Sequence, residues 1–224
     1  MLKRFDTILL DMNNTFMFDH DRFGDDQNYG AFFKKIGGAL SEREASAIIR
    51  EVFEYLQCRY PVIEFQECFP SVESALATLL PEGSVSKDDC KRLIATFAHH
   101  ERGTVPPAYR EALHKLAAKF KIGLVADIWA PKDFWLDELR RTDVYDIFRA
   151  TSFSSDTGIV KPSPKPFLQV LQKMEAAPES TVIIGDSVRR DLGGALAAGL
   201  PCVLVGGKKD SAALGCTDSL LDLL

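Results

Sequence analysis

Short apolar runs that stop abruptly at a carboxylate or a turn are the feature that most narrows the folds open to this sequence. Residues 7–10 (TILL) end at Asp11, residues 122–125 (IGLV) at Ala126-Asp127, residues 182–184 (VII) at Gly185-Asp186 and residues 203–205 (VLV) at Gly206-Gly207, with a weaker run at 148–153. Runs of this length without polar alternation read as strands buried on both faces, the condition of a parallel sheet. From about residue 105 they alternate with helical patterns at 107–119, 131–141, 164–174 and 188–198, the last stopped by Gly199. This alternation predicts an α/β fold, a Rossmann-like, doubly wound parallel sheet with right-handed crossovers.

The stretch from about residue 20 to 104 breaks the alternation, because it offers helices with no convincing strand between them. Ser41 and Glu44 form a capping-box pattern ahead of Ala45, Ile48, Ile49, Val52 and Leu56 at helical spacing. Ser71 precedes a stripe of Val72, Ala75, Leu76 and Leu79, and Ser86 with Asp89 precedes Leu93, Ile94 and Phe97. The expected organisation is therefore an α/β core from residues 1–19 and 105–224, with residues 20–104 as an inserted α-helical cap. His99 and His100 fall in the last of these helices and are read as structural or surface residues, since neighbours on a helix point about 100° apart and do not readily share an ion.

Composition removes several functional classes. With 224 residues, 46% hydrophobic and 26% charged, the chain can bury a sizeable core and is neither disordered nor a disulfide scaffold. Its 27 Lys and Arg against 32 Asp and Glu give a net charge of −5, and the longest basic runs are pairs such as Arg140-Arg141 and Lys208-Lys209. No phosphate-tracking stripe exists, so nucleic acid is not an expected partner. No run approaches the ~18 apolar residues of a membrane span, and Asp6 and Asp11 interrupt the only N-terminal apolar stretch, so no membrane partner and a cytoplasmic location are expected. The five cysteines contain no CxxC pair and suggest neither a disulfide framework nor a zinc site. The oligomeric state is left open.

In an open α/β sheet, ligands gather at the carboxyl ends of the strands. Asp11 follows the first run, Asp127 the second and Asp186 the fourth. Lys161 precedes a helix, and Asp191 lies four residues beyond Ser187. Carboxylates and a lysine on one edge suit a hard cation together with an anionic group.

These residues resemble the motifs of the haloacid dehalogenase-like hydrolase superfamily, and the resemblance extends over nearly the whole chain. ILLDMNNT resembles that family's DxDxT strand end, SSDTGIVKPSPKPF its lysine segment, and IIGDSVRRD its GDxxxxD motif. The resemblance implies Asp11 as nucleophile, Thr15 as the first motif's threonine and Lys161 as the lysine that offsets charge around the phosphoryl group. It implies Mg²⁺ held by Asp11, the backbone carbonyl of Asn13, Asp186 and Asp191, and an aspartyl-phosphate intermediate. The expected activity is that of a Mg²⁺-dependent phosphatase acting on a small phosphorylated metabolite.

Two positions depart from that pattern. Asn13 stands where the family's phosphatases carry a second aspartate that protonates the leaving oxygen, and an amide cannot serve as acid or base near neutral pH. Ala126 stands where the second motif presents a hydroxyl to the phosphoryl group, leaving Asp127, Ser187 or a backbone amide to compensate. Two alternatives therefore stay open. One is a weak or inactive homologue that binds a phosphorylated ligand or a partner. The other is cleavage of a carbon–halogen or carbon–phosphorus bond on the same scaffold, with Lys34 or Lys35 nominated by position alone for the latter.

Overall fold

A computed structural model of the chain describes residues 1–224. Six strands form one sheet in the order β3-β2-β1-β4-β5-β6. They are β1 (Thr7–Leu10), β2 (Lys121–Ala126), β3 (Phe148–Phe153), β4 (Thr181–Gly185), β5 (Cys202–Leu204) and β6 (Gly215–Cys216). Every neighbouring pair is parallel. Every residue of β1 and β4 is buried, as their continuous apolar sequences predict. Ile8 and Leu10 face one layer, and Leu9 faces the other, which is built from Phe167, Val170, Leu171 and Leu192. The weaker run at 148–153 is the edge strand β3, whose first four residues are only partly covered. β6 was not anticipated; its two residues pair with Val203 and Leu204 and carry no apolar run.

Four helices lie between β1 and the next core helix: α1 (Tyr29–Lys35), α2 (Glu42–Arg59), α3 (Val72–Leu79) and α4 (Lys87–Glu101). Ser41 and Glu44 do form a reciprocal capping box at the start of α2, and the side chains of Ser71 and Ser86 accept from backbone amides at the starts of α3 and α4. The buried stripe Ala45, Ile49, Val52 and Leu56 joins Leu93 and Phe97 in an apolar cluster that runs on into the sheet. The core helices are α5 (Pro107–Ala117), α6 (Asp133–Arg141), α7 (Ser154–Thr157), α8 (Lys165–Met174) and α9 (Gly193–Ala197).

The region expected to be one helix at 188–198 is divided. Residues 188–192 form a π-helical turn, in which Leu192 N donates to Ser187 O at 3.1 Å, and α9 follows it. Single π turns of this kind often occur where side chains must be redirected at a site.

The two chain segments that join α1–α4 to the sheet run side by side. Phe18 and Thr104 exchange backbone hydrogen bonds at 2.9 and 2.8 Å, Asp21 N donates to Glu101 O at 3.1 Å, and Arg22 N donates to His100 O at 2.9 Å. A Cβ on Gly103 would lie 2.3 Å from the carbonyl oxygen of Phe18, so this close approach requires glycine. The Arg22 guanidinium donates to the carbonyls of Asp19, His99 and Arg102, which ties the ribbon to the end of α4. His100 is buried against Tyr29 and Phe23, and burial lowers its pKa to about 4, so it is a neutral structural residue.

Candidate active site

Register places the carboxyl ends of the central strands together. Leu10 pairs with Leu124 on one side and with Ile184 on the other, so Asp11 projects between the loops that follow β2 and β4. Lys161, from the loop before α8, reaches the same point. Its Nζ donates to Asp11 Oδ1 at 2.5 Å and to Asp191 Oδ1 at 2.7 Å, with all three side chains at least nine-tenths buried. Burial alone would depress the lysine pKa; the charges of Asp11, Asp191 and Asp127 outweigh it and keep the ammonium protonated. Burial pushes the Asp191 carboxyl up, and Lys161 opposes that rise.

Asp186 sits half-buried beside this group and accepts from Asn14 Nδ2 at 3.3 Å. Burial and the charge of Asp191 raise its pKa. Asp11, Asp186 and Asp191 each offer a carboxylate oxygen within 4.8 Å of the others. Gly185 is required here, since a Cβ would lie 2.3 Å from Asp191 Cγ. Ser187 Oγ accepts from Arg190 N at 3.2 Å, and its backbone N donates to Asp191 Oδ2 at 3.0 Å.

The anticipated residues divide into those that reach the cavity and those that do not. Asp11, Asn13, Asp127, Lys161 and Asp186 line a polar cavity of about 50 Å³. By the space one water needs, this holds only a few heavy atoms. The Oδ1 of Asn13 is buried and has no hydrogen-bond partner. Asp127 is fixed by the Lys161 backbone N at 3.1 Å and by the Tyr60 hydroxyl at 2.7 Å. Thr15 lies behind Asp11, its hydroxyl donating to Asp11 Oδ2 at 2.9 Å, so it orients Asp11 and does not face the cavity. Ala126 and Ser187 also lie off the cavity wall; Ala126 is buried and Ser187 caps the π turn. Asp191 is also off the wall and meets the cavity only through Lys161. Lys34 donates to the carbonyl of Gly38 and is not a cavity residue, and neither is Lys35.

Six further residues line the cavity: His20, Asp21, Tyr60, Glu101, Trp129 and Arg190. Tyr60 follows α2 directly and Glu101 ends α4, so the helical insertion supplies part of the wall. Glu101 accepts from Trp129 N at 2.6 Å and Ala130 N at 2.9 Å, and burial with the nearby charge of Asp21 raises its pKa well above the usual range. The only local hints of these roles were a carboxylate at a helix end and an arginine adjoining Asp191.

Replacing Lys161 with methionine is expected to lower the unfolding free energy by about 3–5 kcal/mol in metal-free buffer, because Asp11 and Asp191 would face each other buried and uncompensated. Urea denaturation measures this directly; a loss below about 1 kcal/mol would mean that the carboxylates are relieved by another group.

The profile of the haloacid dehalogenase-like hydrolases matches residues 41–205. A phosphoserine phosphatase of Thermus thermophilus is 28% identical over 167 residues, covering 72% of this chain and 66% of that protein. A phosphoglycolate phosphatase of Escherichia coli is 35% identical over 105 residues, covering 46% of this chain and 40% of that protein. The aligned stretches thus span about two thirds or less of these relatives. Among solved structures, a 2-haloacid dehalogenase from Pseudomonas syringae superposes with a TM-score of 0.70 at 19% identity, covering 98% of this chain and 96% of that one, a likeness of fold.

Proposed function

The chain belongs to the haloacid dehalogenase-like hydrolase family, and from that premise we propose that it is a Mg²⁺-dependent phosphatase for a small phosphorylated molecule, with Asp11 as nucleophile. The observation that carries the reading is the buried Lys161 bridge between Asp11 and Asp191, next to Asp186, on the wall of a small polar cavity. One cation inside a cluster of carboxylates orients the nucleophile and leaves surplus negative charge for a second, hard cation.

The donor set fits Mg²⁺, being all oxygen and compact. Asp11, Asp186, Asp191 and the backbone carbonyl of Asn13 would hold the ion, which when bound neutralises phosphoryl oxygens. Thr15 and Lys161 each hold one oxygen of Asp11 and so fix the carboxylate plane. An Asp11 oxygen attacks phosphorus in line; the bond from phosphorus to the leaving oxygen breaks and that oxygen keeps the electron pair. Water then attacks the phosphorus of the aspartyl-phosphate; the bond from phosphorus to the Asp11 oxygen breaks, its electron pair restores the carboxylate, and dihydrogen phosphate leaves with both protons of that water.

Asn13 favours a second reading, in which the bond cleaved has a leaving group that needs no proton, as in a carbon–halogen bond. Turnover of an aryl phosphate and of a 2-haloacid, each with and without Mg²⁺, separates the two. Phosphate release that requires Mg²⁺ is expected. Halide release alone would establish the second reading, and phosphate binding without either turnover would establish a binding homologue. In parallel, Mg²⁺ is expected to raise the thermal midpoint of the wild type and to do so much less for Asp186→Ala. An equal rise in both would remove Asp186 from the metal site.

A further inference from the structure

We propose that Arg190 is a direct ligand of the phosphoryl oxygens, and so a catalytic residue of the phosphoryl-transfer reaction proposed above, on which this inference rests. A phosphoryl group on its way to Asp11 carries charge on three equatorial oxygens, and each needs a donor or a cation. Around Asp11 most of the donors are already committed. Lys161 Nζ spends two hydrogen bonds on Asp11 and Asp191. The Tyr60 hydroxyl is spent on Asp127. The amides of Ile128, Trp129 and Ala130, at the end of β2, are taken by Ser154 Oγ and the two Glu101 oxygens. Ala126, the last residue of β2, brings only a methyl group.

Arg190 is a cation not committed in this way. It lines the same cavity, lies over the Tyr60 ring at 5.2 Å, and feels the charges of Asp127, Asp191 and Asp11, yet its guanidinium donates to no protein atom and pairs with no carboxylate. A half-buried guanidinium that faces the cavity with its whole fork free is placed to take an anion there. The planar fork suits two oxygens of one phosphoryl group, and the Tyr60 ring holds it in place. The π turn at 188–192 explains how neighbouring residues do different work at one site: Asp191 turns inward to Lys161 while Arg190 reaches the cavity wall.

The test uses the intact protein with Mg²⁺ and compares wild type with Arg190→Met, which keeps the stem against Tyr60, and Arg190→Lys, which keeps the charge. The affinity for inorganic phosphate, read by calorimetry, is expected to fall about 10- to 100-fold in the methionine variant and less in the lysine variant. In the same variant kcat/KM is expected to fall about 10² to 10³-fold, equally for aryl phosphates with and without a carboxylate on the leaving group. Thermal midpoints near the wild-type value show that the variants are folded, and the lysine variant carries the test should the methionine variant be unstable. Unchanged phosphate affinity, with KM raised only for the carboxylate-bearing substrate, would overturn the proposal and make Arg190 a reader of the leaving group. If the wild type neither binds phosphate nor hydrolyses the esters, the phosphatase reading itself falls, and Arg190's role with it.

Discussion

Asp11→Asn is expected to reduce kcat on any phosphate ester by about 10⁴-fold or more while leaving the fold intact. The substitution is nearly isosteric, and the surroundings can accommodate it. The amide oxygen can still accept from Lys161 Nζ, and the new NH₂ can donate to the Thr15 hydroxyl oxygen, which now donates to Asp11 Oδ2. What is lost is the anionic oxygen that attacks phosphorus, and an amide is a far weaker nucleophile. Removing one negative charge also lowers the demand for a cation, so the variant should bind Mg²⁺ more weakly. The measurements are single-turnover kinetics and a thermal melt. Retained activity with a normal melt would show that another group is the nucleophile.

Asn13→Asp is expected to raise turnover of alkyl phosphates by about 10² to 10⁴-fold, the usual contribution of a positioned acid or base. An alkoxide is a poor leaving group until it is protonated, whereas a nitrophenolate or an acyl carboxylate leaves readily. Asn13 lies on the cavity wall with its Oδ1 unpartnered, so a carboxyl group there would meet the leaving oxygen without first breaking a bond. Two of the other acids on the wall are engaged, Asp127 by Tyr60 and Lys161 and Glu101 by two backbone amides. The gain on acyl phosphates should be smaller but present, because water attack on the aspartyl-phosphate uses the same base. kcat/KM for both substrate types in wild type and variant decides the matter. Efficient alkyl phosphate hydrolysis by the wild type would mean that another cavity group, such as His20, already supplies the proton.

The sheet was legible because its central strands are buried on both faces and therefore carry unbroken apolar sequence, as TILL in β1 and TVIIG in β4 do. Asp11 and Lys161 were legible because each lies in a local stretch, ILLDMNNT and SSDTGIVKPSPKPF, that resembles a motif of the family. Tyr60 and Glu101 left no such mark. They reach the cavity only because the helical insertion meets the loop after β2, and Glu101 lies 28 residues from the amide of Trp129 that it accepts from. Arg190 reads in sequence as one more arginine of a helix, and the π turn that brings it to the cavity wall has no sequence signal of its own. The loss of a hydroxyl at Ala126 was visible, whereas the consumption of the neighbouring amides by Glu101 was not.

The paired strands of chain at Phe18–Arg22 and His100–Thr104 restrict how the helical insertion can travel. Two tethers bonded edge to edge behave as a strap: they bend readily about one axis and resist sliding and twisting. Opening along that axis must part the bonds on the far side, including Phe69 N to Gly158 O at 2.7 Å, Val160 N to Gln66 O at 2.9 Å and Tyr60 to Asp127 at 2.7 Å. An insertion that opened and closed on this strap would return Tyr60 to the same place above Asp127 and beside Arg190, which stays with the sheet. Alignment of the cavity is thus a property of the tether, so the chain need not search for it each time a ligand enters.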